Sequence, residues 1–118
     1  MANRVALFVI ALILVACGGD SSSNEPPGFP ADFPVYANAT LSASGTTLGH
    51  PVATWTTHDP DSRVAAFYRG ALNRGSWEIV DQMDTTFDFI RRKDRGYGGT
   101  VDIRSGSITV RLGPGCPC

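Results

Sequence analysis

Lysine is nearly missing from this chain: Lys93 is the only one among ten basic residues. Histidine occurs only as His50 and His58, and cysteine only as Cys17, Cys116 and Cys118. The apolar run Val5 to Val15 has 11 residues, well short of the roughly 20 that a membrane-spanning helix needs. The formal net charge of −1 comes with no basic stripe, which argues against nucleic acid as a partner. The Gly-x-Ser-x-Gly elbow, the Walker loop and the dinucleotide fingerprint are all missing. Gly96-x-Gly98-Gly99 comes closest to the last of these, but no helical pattern follows it. Asp81, Asp84 and Asp88 cluster without an apolar pocket that would raise a carboxyl pKa. A strand over 51–57 would hold the two histidines roughly 27 Å apart, too far to share a metal. The expectation is a protein that is no enzyme, with no cofactor and no metal site.

What is present begins at the N-terminus. Met1-Ala2-Asn3-Arg4 is a short, positively charged lead, Val5 to Val15 is an uninterrupted apolar segment, and small Ala16 follows. That is the layout of a secretory signal. The tetrapeptide Leu14-Val15-Ala16-Cys17 resembles the lipobox of a bacterial lipoprotein precursor. The resemblance implies a diacylglyceryl group on the Cys17 thiol and cleavage of the bond before it, leaving 102 residues (118 minus 16). It also implies a chain held by that anchor at the extracytoplasmic face of the cell membrane or outer membrane. Losing Arg4 leaves nine basic residues against eleven acidic ones, a net −2.

Residues 17–33, rich in Gly, Ser and Pro, read as a flexible tether, with an r.m.s. reach of roughly 20 Å for about a dozen residues. Residues 34–113 read as one small domain and 114–118 as a tail. The tail ending Cys116-Pro117-Cys118 leaves three readings open: a tight disulfide, a pair of soft-metal ligands, or links to another chain. An oxidised or idle tail is favoured. A thiol- or metal-handling lipoprotein acting through Cys116 and Cys118 stands as the alternative function.

Within the domain, 39–43 and 51–57 read as strands joined by a small polar loop. Asp59-Pro60-Asp61 then opens a helix expected over 60–74, with Asp59 as its cap and Gly75 as its stop. Val64, Phe67, Tyr68, Ala71 and Leu72 form a single apolar stripe. Four more strands follow, with Ser105-Gly106 as a hairpin turn and Lys93–Gly99 as a Gly-rich connection. The expected fold is α+β: an antiparallel sheet, about ββαββββ, covered on one face by the single amphipathic helix. The expected core is Trp55, Phe67, Tyr68, Leu72, Trp77, Ile79, Phe87, Phe89, Val101, Ile103, Ile108 and Val110.

The spacing Asp59…Val64-x-x-Phe67-Tyr68-x-x-x-Leu72-x-x-Gly75-x-Trp77 is similar to small extracytoplasmic domains of bacterial lipoproteins, and it implies packing rather than chemistry. Arg91, Arg92, Lys93 and Arg95, followed by Tyr97, are candidates for contact with a membrane surface or partner, although a solvated connection explains them as well. The expected function is therefore a lipid-anchored envelope lipoprotein whose domain binds an envelope protein or small ligand without catalysis.

Overall fold

Alternation decides most of the strands. In 107–112 the apolar residues fall on every second position, and Ile108, Val110 and Leu112 are all buried. The computed structural model describes residues 24–114. Cys17, Cys116 and Cys118 lie outside the described residues, as do the signal segment and the start of the tether. The elements run β1 (Thr40–Thr47), β2 (His50–Thr56), α1 (Asp61–Ala71), β3 (Trp77–Gln82), β4 (Thr86–Arg91), β5 (Asp94–Arg104) and β6 (Ser107–Pro114). All six strands join one antiparallel sheet in the order β1-β2-β6-β5-β4-β3. Ala53, Trp55, Phe87, Phe89, Val101 and Ile103 join β6 in the buried core. The opposite face carries polar pairs such as Thr100–Asp88 at 2.9 Å and Thr54–Thr109 at 3.2 Å.

The α+β expectation is corrected here. The described residues are mostly β, with 50% of them in strands and 12% in the helix. The reason is one of length. Eleven helical residues span about 16 Å, whereas six strands at about 4.8 Å spacing make a sheet roughly 24 Å wide. The helix, through Val64, Ala65, Tyr68 and Leu72, covers only part of the buried face.

An irregular strap over residues 24–39 covers the rest. It is a succession of turns, with Phe29 N–H donating to Pro26 O, Phe33 to Pro30 O and Ala39 to Tyr36 O. The prolines restrict its backbone, and its aromatic side chains face inward. Phe33 lies 5.8 Å from Trp77 and 5.7 Å from Phe89, ring centre to ring centre. Both tryptophan indoles depend on strap carbonyls, Trp55 donating to Asn24 O and Trp77 to Asp32 O, each at 3.2 Å. Residues 24–33 are therefore part of the folded body, not the tether that their composition suggested.

The helix also differs at its ends. It runs Asp61–Ala71 instead of 60–74, and Pro60 stands at the cap position with no side-chain capping bond. Asp59 is drawn away to the strap, where it accepts from Tyr36 Oη at 2.5 Å and Asn38 Nδ2 at 3.1 Å. Asp61 instead accepts from the backbone N–H groups of Ser105 and Gly106 at 2.9 and 3.0 Å, tying the helix start to the β5–β6 turn. Gly75, with φ +63°, serves the turn into β3, because the helix has already ended near Leu72. The supposed connection 93–99 is mostly strand, since β5 begins at Asp94. The expected core residues are all buried except Phe67 and Ile79, which pack half-buried against it. Phe33, Tyr36, Ala39, Ala53, Val64, Ala65, Ile90 and Leu112 are additions.

The strap is latched by two carboxylates, which gives an acid sensitivity. Hydrogen bonds from Arg91 hold the Asp32 carboxyl below its ordinary pKa, and those from Tyr36 and Asn38 do the same for Asp59. A carboxylate whose pKa is lower folded than unfolded stabilises the fold above the unfolded value, near 4. That contribution disappears as pH falls through the folded value. Both groups lie near the surface, so the effect is small: thermal melts are expected to be flat from neutral pH to about 5 and to fall modestly below about 4. Asp32→Asn should lower the neutral-pH midpoint and shrink the drop.

A second expectation has the opposite sign. The Tyr68 side chain is fully buried, and its hydroxyl has no hydrogen-bond partner among the described residues. Burial pushes its pKa up; the Tyr36 backbone lies near enough to offset this in part but outside hydrogen-bond geometry. Deleting an unpaired buried hydroxyl removes a desolvation cost, so Tyr68→Phe is expected to stabilise the domain by about 1 kcal/mol in urea titration. A loss of stability would mean that the hydroxyl has a partner.

Candidate functional site

The turn joining α1 to β3 organises the surface with the most chemistry. On one side of Gly75 and Ser76 is a cleft of about 400 Å³ between the strap, the helix and β3. Pro34, Phe67, Ala71 and Trp77 give it apolar walls, and Asp32 and Arg74 also line it. Phe67 reaches it because it is held half-buried by ring contacts to Tyr36 and Tyr68, at 5.3 and 4.9 Å. On the other side is a depression of about 300 Å³ lined by Gly75, Ser76, Arg91, Arg92 and Lys93.

The cations here are not equivalent. Arg91 forms a two-pronged pair with Asp32 at 2.9 and 3.1 Å. It also lies 4.4 Å from the centre of the Trp77 ring and 5.8 Å from that of Tyr97. Asp32 and this stacking spend its charge on holding the strap, and the Asp32 bond raises its already high pKa. Desolvation raises the Tyr97 phenol pKa as well. Arg95 meets Glu78 at 3.4 Å. Arg92 is different: its Nε donates to Gly75 O and its Nη2 to Asn73 O, both at 3.1 Å, and its backbone N–H donates to Ser76 O at 2.8 Å. Neither Arg92 nor Lys93 has a carboxylate partner among the described residues.

Of the residues singled out by sequence, the structure brings Arg91, Arg92 and Lys93 to one depression, with Tyr97 beside Arg91. It sends Arg95 to Glu78. The cleft itself was not foreseen. Asp32 belonged to the supposed tether, Pro34 stood at the expected edge of the domain, and Phe67 was assigned to the core. The one available signal was the excess of Phe67 over the fully buried helical face, which Val64, Ala65, Tyr68 and Leu72 complete without it. Among the described residues, no group of three or more His, Cys, Asp or Glu is placed to hold a metal ion.

A sheet with one short helix packed against it, and a cleft opening beside that helix, suits a small binding domain. A family described as START domain-like matches residues 37–109, which is 73 of the 118 residues. The chain belongs to the START domain-like family. No curated protein and no solved structure matches it.

Proposed function

We propose that this chain is a lipid-anchored lipoprotein of the cell envelope whose START-like domain binds a small, largely apolar ligand without transforming it. The observation that carries the binding half is the cleft beside the α1–β3 turn. It is wide open to solvent, its volume lies in the range of ordinary ligand sites, and its lining is mostly apolar with Asp32, Arg74 and Ser76 as the polar groups. Family membership supports the same reading, because START-like domains bind small ligands. Apolar burial contributes only about 25 cal/mol per Å² covered, and the cost of association offsets much of that. The expected affinity is therefore modest. The anchoring half is supported by Leu14-Val15-Ala16-Cys17 at the end of the apolar segment.

Two measurements test the proposal. Native mass spectrometry of the full chain purified from its own envelope should show a bound small molecule. Ala71→Phe, which fills the cleft from the helix, should abolish it. An unliganded wild type, or a ligand that survives Ala71→Phe, would sink the binding half. Labelled fatty acid should enter the wild-type chain and not Cys17→Ser; label in that variant would sink the anchor.

A further inference from the structure

The two depressions share Gly75 and Ser76 as lining residues, yet their other walls differ in character: four apolar side chains with Asp32 and Arg74 on one side, and only the cations Arg91, Arg92 and Lys93 on the other. From this we infer that the Arg92–Lys93 depression is an anion subsite, and that the ligand of the neighbouring cleft carries a carboxylate or phosphate group seated there. The inference deepens the binding reading above and rests on it.

The charges nearby can be accounted for one by one. Asp32 is engaged by Arg91, and Glu78 by Arg95. Asp94 stands across from Arg91 in the β4–β5 register. That leaves Arg92 and Lys93 on one side of the turn, and Arg74 on the other, with no carboxylate partner among the described residues. Such a local excess stands out in a chain whose net charge is −1.

Arg92 is also held ready. Backbone carbonyls of residues 73 and 75 take two of its N–H donors, and a guanidinium has five, so three remain for an incoming oxyanion. Two carbonyl bonds position the side chain without neutralising it. Its rotamer freedom is therefore lost on folding and not on binding. A planar, fixed guanidinium suits carboxylate and phosphate geometry, and a nearby lysine adds a mobile point charge. A solvated surface arginine would need no such anchoring.

The test uses the full chain and three soluble probes of one chain length: hexanoate, hexyl phosphate and 1-hexanol. Binding is read from the indole N–H resonance of Trp77, which lines the cleft. Hexanoate or hexyl phosphate is expected to bind about tenfold tighter than 1-hexanol, and the stronger of the two identifies the head group. The preference should shrink with added salt. It should vanish in Arg92→Gln/Lys93→Gln while 1-hexanol binding is retained. Lys93→Gln alone, at an exposed position, should reduce the preference about threefold, which guards against misfolding of the double variant. Equal binding of acid and alcohol would overturn the anion subsite and leave the apolar cleft standing, as would a preference that survives both variants. No shift with any probe would overturn both.

Discussion

Phe33→Ala is expected to destabilise the domain by about 3–5 kcal/mol, enough to move a urea midpoint by about 2 M or more for a chain this small. The size of the effect follows from where the ring sits. Phe33 is 6% exposed and touches Phe29, Tyr68, Trp77 and Phe89, with ring centres 5.5–6.5 Å apart. Removing it would leave a hole that no neighbour can fill without moving. The strap offers no regular hydrogen-bond ladder to hold its place, and its side chains therefore carry its attachment. Its polar latches, Arg91–Asp32 and Tyr36–Asp59, lie at the surface, where such bonds contribute little. A typical domain is stable by about 5–15 kcal/mol in total, so the variant should be partly unfolded at 37 °C. A midpoint shift below about 0.5 M would show that the strap unfolds separately, as a tether would.

This residue also marks where sequence reading ran out. Strands announce themselves by period, and Ile108, Val110 and Leu112 or Val101 and Ile103 could be placed from alternation alone. The strap has no period. Phe29, Phe33 and Tyr36 lie among prolines and glycines, and composition assigned most of that stretch to solvent. Its inward turn is imposed by the two tryptophans, whose N–H groups need acceptors when buried, and that need becomes visible only in three dimensions. Asp59 and Asp61 repeat the lesson on a smaller scale. Both suit a helix start, but a long-range partner claimed each of them, and the cap was left without a side chain. The cleft inherits the same blindness, because its walls come from the strap, the helix and β3 together. Its cationic neighbour was legible as a run of charge; which of those cations remains uncompensated was not.

Glycine is the other source of error in the chain, and it gives the second large effect. Gly98→Ala is expected to cost about 3 kcal/mol even though alanine is usually preferred to glycine within a strand. A Cβ at position 98 would collide with the Phe89 carbonyl oxygen and sit 2.9 Å from Ile90 Cα. Those are backbone atoms of the paired strand and cannot rotate aside, so β4 and β5 would have to separate. Gly99→Ala meets the Arg111 carbonyl oxygen from the other neighbour, β6, and should cost a similar amount. Gly45, in β1, is the control. It has no left-handed φ, and a Cβ there would meet nothing within 4 Å. Gly45→Ala should therefore be neutral, or stabilising by up to about 1 kcal/mol through reduced freedom of the unfolded chain. Urea titration of the three variants checks the contrast, and a similar small effect at all three positions would refute the close approach. The crowding at 98 and 99 explains why a run that reads as a loop is a central strand: β5 lies so close to both neighbours that only residues without side chains fit.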